Sequence, residues 1–497
     1  MEEMKISTSA STTTPRETQY SASSSMMSST KKPLGFLFYM NTSTPLASPM
    51  KKAIESIFEE VGRFTKLDSQ DDWLPITESR NGNAYYAAFH VLSSGIGFQA
   101  LVLPLAFTTL GWIWGILCLC VAFTWQLYTL WLLVQLHESD TGVRHSRYIK
   151  LAMAAFGEKL GKLLVLFPVQ YLSGGTCVTL IMIGGGTMKI FFQTVCGGET
   201  LTTIEWYLVF TGAAILLAQL PNLNSMAGVS LIGAITAVAY CSLIWTVSIV
   251  QGKLAHVSYE PPKGQSGIFI VWNAFGIIAF AFRGHNLVLE IQGTMPSDAK
   301  QPSRVAMWKG TMFAYMVIAF CLFPLAIGGY WSYGNLIPST GGMLSALHKY
   351  HEHDTSTFII ALTSLLVVIN SLSSFQLYAM PIFDNLESRY TIKKNRPCPR
   401  WLRVVIRVLF GCLAFFIAIA FPFLPSLAGL IGGVALPITL AYPCFMWIEI
   451  KKPRKFSTTW YLNWTLGAVG TILSVLVVIG AIWSIVAKGI KIHFFNP

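Results

Sequence analysis

Asn273-Ala-Phe-Gly-Ile-Ile-Ala-Phe-Ala-Phe-Arg-Gly-His-Asn-Leu-Val-Leu-Glu-Ile-Gln292 is the stretch on which the reading of this chain turns. With the residues before it, from Gly264, it is long and apolar enough to cross a hydrocarbon core, which takes about 20 residues as a helix. Its middle does not suit a plain crossing helix. Arg283 places a fixed cation where charge costs at least a few kcal/mol, and Gly284 weakens a helix by about 1 kcal/mol relative to Ala. Unwound backbone inside a bilayer is tolerated only where protein or a wet cavity surrounds it. Ala281–Asn286 therefore reads as an interruption facing a cavity, with Arg283 requiring a partner there. A second interruption, Ser93-Ser94-Gly95-Ile96-Gly97, lies near the middle of the first apolar run.

The composition agrees with a chain of many crossings. Of 497 residues 53% are hydrophobic and 12% charged, and mean hydropathy is +0.54; soluble domains carry about 25% charge. An ordinary cytosolic enzyme is excluded, and so is a disordered scaffold, given 15 Trp, 18 Tyr and 32 Phe. The net charge of +12 is spread in short patches between apolar runs and does not form the basic face of a nucleic-acid binder. The nine Cys include no CxxC pair and read as small buried residues. No P-loop, HExxH or GxSxG motif occurs, so neither ATP-driven pumping nor an intramembrane enzyme is expected, and no cofactor is implied.

Apolar run lengths predict an all-α integral membrane protein of eleven transmembrane helices. Asn81–Leu136 holds two, joined at Leu110-Gly111-Trp112. Leu163–Met188 is the third, and Trp206–Gly252 holds the fourth and fifth. Gly264 to about Gln292 is the sixth, Gly310–Trp331 the seventh and Thr355–Phe383 the eighth. Val408–Ile448 holds the ninth and tenth, and Phe456–Ala487 the eleventh. With the N-terminus inside, 28 Lys and Arg fall on inner segments and six on outer ones, which sets a cytosolic N-terminus. Asn41 and Asn463, both in Asn-x-Ser/Thr sequences, then lie on the inner side and should stay unglycosylated. The chain divides into a cytosolic Ser/Thr-rich tail over 1–80, a ten-helix core over 81–449, and the eleventh helix with a short C-terminus over 450–497. The tail carries an expected amphipathic helix at about 51–67, with Ile54, Ile57, Phe58, Val61 and Phe64 on one face, preceded by Thr44-Pro45 and Ser48-Pro49, weak candidates for proline-directed phosphorylation. The first fifty residues contain no apolar stretch and do not read as a signal peptide.

The two interruptions are five helices apart. Five is odd, so helices 1–5 and 6–10 run in opposite senses, and interrupted helices 1 and 6 occupy matching places in two inverted halves. That arrangement points to a carrier binding site. Half-helix N-termini there suit an anionic group such as a carboxylate. The breaks alone fit packing glycines equally well; the mid-membrane Arg283 favours the site. Its candidate partners are a substrate carboxylate or Glu290, and Asn286 and Glu290 are spaced to bond along one helical face. His90, His285 and Glu290 are the titratable groups in or near the breaks and the candidates for proton coupling. Serines of span 8 with span 1 carbonyls make a sodium site the alternative.

The run from Asn273 through Gln292-Gly-Thr-Met-Pro-Ser297 resembles the sixth span of plant amino acid/auxin permeases, nearest the lysine/histidine transporter-like branch. Leu103-Pro104 followed by Gly111-Trp112, and Gly174-Gly175-Thr176-Cys177, agree with it. The resemblance covers about residues 75–487. It implies a LeuT-like 5+5 inverted repeat in the first ten of eleven helices, and transport of amino acids with protons, at the plasma membrane. It also implies that Ser93, Ser94, Gly95, Ile96 and Gly97 hold the amino acid's carboxylate, that Phe282, Arg283, Gly284 and His285 line the pocket, and that Tyr171, Ser371, Ser373 and Ser374 face the same centre. Arg283 departs from the branch, where the residue before Gly-His is small. A fixed cation there disfavours lysine-like side chains, so neutral or acidic amino acids are the expected substrates. An amino acid-sensing receptor with weak transport, an auxin-like organic acid carrier and a channel are the alternatives.

Overall fold

The computed structural model describes residues 73–487, apart from 140–141, 199–200, 221–222, 261–266, 299, 339–340, 353 and 421–423. The expected tail helix at 51–67, the two Ser/Thr-Pro sites and Asn41 lie outside the described residues.

Sixteen α-helices carry the described chain: α1 (Ala84–Gly95), α2 (Phe98–Val102), α3 (Pro104–Leu136), α4 (Tyr148–Phe156), α5 (Glu158–Cys196), α6 (Thr203–Leu217), α7 (Ala227–Gln251), α8 (Gly267–Ala281), α9 (His285–Gly293), α10 (Ser303–Tyr333), α11 (Gly342–His351), α12 (Thr357–Lys394), α13 (Arg400–Ala420), α14 (Leu424–Leu436), α15 (Tyr442–Lys451) and α16 (Thr458–Ala487). Nine stretches among the described residues are long and apolar enough to cross a membrane. The sequence predicted eleven. The two extra crossings fall on α6, apolar but 15 residues long, and on α1–α2, which the first interruption cuts into pieces of 12 and five residues. Helices also run past the apolar limits: α12 continues eleven residues beyond Phe383, to Lys394, because helical hydrogen bonding does not stop where the hydrocarbon does.

Leu110-Gly111-Trp112 turns the chain from the first crossing to the second. Gly111 has φ 70° and ψ −172°, a conformation in which any Cβ would be strained, and it makes a kink within α3.

α12 is the central post. It packs along α5 on one side and α7 on another, while α1 is held between α7 and α10. α8 lies against α3, α14 and α16. The two broken segments, α1–α2 and α8–α9, thus meet at the middle of the bundle, with α12 alongside.

Candidate functional site

Both interruptions are present, and they face each other. α1 ends at Gly95, Ile96 and Gly97 are extended, and α2 starts at Phe98. α8 ends at Ala281 and α9 starts at His285. The three residues between include Gly284 at φ 133°, a value that only glycine adopts without strain. A Cβ on Gly284 would stand 3.7 Å from Ser94 Oγ, and one on Gly97 would stand 3.1 Å from Arg283 Nη2.

Side chains from α2, α7 and α12 satisfy the first break. Breaking a helix leaves carbonyls without their usual donors, and each such buried group costs about 1–3 kcal/mol if left unpaired. Ser374 Oγ donates to Ser93 O at 2.8 Å, and Tyr378 OH to Ser94 O at 2.9 Å. Gln99 Nε2 donates to Gly95 O at 2.6 Å, Asn370 Nδ2 to Ile96 O at 3.3 Å, and Tyr240 OH to Gly97 O at 2.8 Å. Five consecutive carbonyls are therefore satisfied. Ser93 Oγ and Ser373 Oγ pair at 3.1 Å.

The second break is provided for differently. Arg283 is 2% exposed, and its guanidinium sits among three rings, 4.6 Å from the centroids of Phe280 and Tyr378 and 4.9 Å from that of Phe98. Nη1 donates to Thr176 Oγ1 at 3.4 Å, whereas the buried Nε and Nη2 have no hydrogen-bond partner. Gln99 Oε1 is likewise buried and unpartnered. Its orientation is fixed by chemistry, since the amide nitrogen must face the Gly95 carbonyl. A Cβ on Gly97 would stand 2.8 Å from Gln99 Oε1. Unfilled cationic donors and an unfilled neutral acceptor thus flank one glycine.

The remaining expected site residues are distributed around this centre. Gly95 turns its α-carbon toward Ile318 of α10. Ser371 is buried on α12, one turn before Ser374. Phe282 points to α3, edge-on to Phe123 at 5.5 Å. His285 also faces α3: its Nε2 donates to Gln126 O at 3.0 Å and lies 3.1 Å from Thr129 Oγ1. His90 Nδ1 lies 2.7 Å from Ser230 Oγ on α7. Tyr171 stacks on Phe167, which is largely exposed. Asn286 bonds to Ser173 Oγ at 3.0 Å rather than along its own helix to Glu290, because the neighbouring α5 presents a hydroxyl to its short side chain. Glu290 lies beyond the break from Arg283, buried, with Oε2 unpartnered, in the field of Asp384 and Arg147. Arg147 is fixed to Asp384, with Nη2 3.2 Å from Oδ1, and reaches Thr77 Oγ1 at 3.3 Å. Together with a bond from Gly82 N to Thr294 O at 2.9 Å, these contacts fasten the segment preceding α1 across the same end of the bundle.

Sequence reasoning missed Gln99, Tyr240, Asn370 and Tyr378. A signal for two of them was available. Asn370, Ser374 and Tyr378 recur every four residues and form one polar stripe along α12.

Two interrupted helices of opposite sense, paired at the centre of an all-helical bundle, define a membrane carrier of the LeuT-like inverted-repeat class. Solved structures agree on that fold. The chain aligns over 88% of its length with 96% of a Na+-coupled sialic acid symporter in a substrate-bound outward-open state (TM-score 0.53, 11% identity). It aligns over 86% with 97% of Mhp1, a nucleobase-cation-symport-1 family transporter in a closed conformation (TM-score 0.55, 11% identity). The chain belongs to the transmembrane amino acid transporter protein family, whose model matches residues 80–487. It is 58% identical to Lysine histidine transporter-like 8 of Arabidopsis thaliana, over 91% of this chain and 89% of that protein. It is 46% identical to Lysine histidine transporter-like 7 of the same plant, over 86% and 90%. The resemblance seen in the sequence is thereby confirmed, and the protein is an integral membrane transporter, not an enzyme.

Proposed function

We propose that this chain is a secondary active carrier that moves neutral or acidic amino acids by alternating access, with the solute held between Gly97 and Arg283. The observation that carries this reading is the pair of unfilled partners at Gly97. Arg283 Nε and Nη2 suit a carboxylate, and Gln99 Oε1 suits an ammonium group, which together complement a zwitterion. A lysine-like side chain meeting Arg283 would suffer repulsion of about 4 kcal/mol at 4 Å with an effective dielectric of 20. The "lysine histidine" of the relatives' names is therefore not extended to this chain.

Coupling to protons is the favoured drive, with Glu290 as the carrier. It is a buried carboxylate with an unpartnered oxygen on the half-helix α9, beside the Arg147–Asp384 fastening. His90 and His285 are the other proton candidates, each bonded into a neighbouring helix. A sodium ion is the second reading, favoured by the cluster of Ser93 O, Ser93 Oγ, Ser373 Oγ and Ser374 Oγ beside the first break. The membrane placement that goes with this reading has eleven crossings, with α1–α2 and α6 completing the count, a cytosolic N-terminus and the plasma membrane as home.

Uptake of the twenty amino acids into proteoliposomes, at two external pH values and with or without sodium, tests the proposal. Accumulation of neutral or acidic amino acids driven by an inward proton gradient is expected. Saturable binding without accumulation would identify a receptor instead, accumulation driven by sodium alone would move coupling to the serine cluster, and a preference for lysine would remove Arg283 from recognition.

A further inference from the structure

A cavity of about 750 Å³ lies away from the two breaks, between the first turns of α5 and the last turns of α12. Lys159 and Lys162 enter it from α5 and Arg389 from α12, and its wall includes Leu163, Phe167 and Leu386. Leu163 is 76% and Phe167 65% exposed, so this wall is open on the outer surface of the bundle. The three cations have no ion pair among the described residues. The carboxylates nearest in sequence to Arg389, Asp384 and Glu387, are buried and already engaged. Asp384 pairs with Arg147, and Glu387 pairs with Arg403 at 3.0 Å and Arg407 at 3.7 Å.

Glu158, next to Lys159 on α5, does not line the groove, so three cations stand above exposed apolar surface at the end of two long membrane helices and make the groove amphiphilic. Basic side chains there reach toward the headgroup layer while the turns below them stay in hydrocarbon. A free anion would use the cations and leave the apolar wall idle. A soluble acidic peptide would have to enter the bilayer to reach Leu163 and Phe167. We propose that the groove is a binding site for an anionic phospholipid of that leaflet, with its phosphate between Lys159, Lys162 and Arg389 and an acyl chain along Leu163, Phe167 and Leu386. The lipid bridges the two helices that serve the breaks, since α12 supplies Asn370, Ser374 and Tyr378, and α5 supplies Thr176 to Arg283. This inference depends on the helices spanning a bilayer and not on which solute is carried.

The test uses the full-length protein in detergent. Its thermal unfolding is titrated with phosphatidylserine, with phosphatidylcholine and with inorganic phosphate. A phosphatidylserine bearing a diazirine on its acyl chain then maps the site by crosslinking and peptide mass spectrometry. Phosphatidylserine is expected to raise the unfolding temperature at concentrations at least tenfold below those needed with phosphatidylcholine, and to label residues 160–170. The triple substitution Lys159→Gln, Lys162→Gln, Arg389→Gln should abolish that selectivity, whereas Lys159→Arg, Lys162→Arg, Arg389→Lys should keep it. Equal responses to the two lipids, an equal response to millimolar inorganic phosphate, or labelling elsewhere on the chain would overturn the proposal. The labelling and the charge-conserving variant decide the matter even if the glutamine variant does not fold.

Discussion

The two breaks solve the same problem by opposite means. At Ser93–Gly97 five carbonyls freed from the helix each accept a bond from a fixed side chain of the protein, three of them from α12. At Phe282–Gly284 the dominant feature is a guanidinium with two unpartnered nitrogens, held by three aromatic faces. Rings fix the position of a cation without consuming its donors. The first break is thus a finished structural joint, and the second keeps hydrogen-bonding capacity in reserve. Buried capacity of that kind is costly when empty and is relieved by a ligand, so discrimination between solutes should reside at Arg283, and rigidity of the site at the first break.

Substitutions can break this contrast, beginning with the largest effect. Gly97→Leu would occupy the space between Gln99 Oε1 and Arg283 Nη2, and uptake should fall more than about a hundredfold in a radiotracer assay while surface expression persists, since losing contacts to charged groups worth about 1.5–3 kcal/mol each compounds here. Uptake at normal rates would place the solute elsewhere. Arg283→Gln removes the charge but keeps an amide, and affinity for solute should fall by about ten- to a hundredfold, the equivalent of 1.4–3 kcal/mol, with relative tolerance of lysine rising. An unaltered profile across twenty amino acids would make Arg283 purely structural.

Tyr378→Phe sharpens the contrast, because it keeps the ring over Arg283 and removes the hydroxyl that donates to Ser94 O. A loss of about 1–3 kcal/mol in stability is expected from the orphaned carbonyl, read as a lower unfolding temperature, with the order of substrate preference unchanged. A reordered preference would show that the joint also selects. Tyr171→Leu touches neither break and should change uptake less than about twofold, or about 0.4 kcal/mol; a large loss would return Tyr171 to the pocket.

Nine of the eleven expected crossings, the corner at Gly111 and both interruptions were legible in the sequence because each rests on a local property: a long apolar run, or charge or glycine inside one. Arg283 was legible for the same reason. What could not be read was the facing of side chains. Phe282 and His285 flank Arg283 in the chain and Tyr171 shares α5 with Thr176, yet Phe282 and His285 turn toward α3 and Tyr171 packs on the exposed Phe167. Apart from Gln99, the partners of the first break come from α7 and α12, 143 to 284 positions away in the chain, and sequence spacing carries no register between helices so far apart. The stripe Asn370, Ser374, Tyr378 marked a polar face without saying what it faced.

The most direct test compares binding of one transported amino acid with binding of its methyl ester, measured on wild-type protein and on Arg283→Gln. If the unfilled guanidinium recognises the solute, the wild type prefers the free carboxylate by about ten- to a hundredfold, as expected for a charge-assisted contact, and the variant binds the two almost equally. A variant that keeps the full wild-type preference for the free acid would contradict the account, since the carboxylate would then be held by groups other than Arg283.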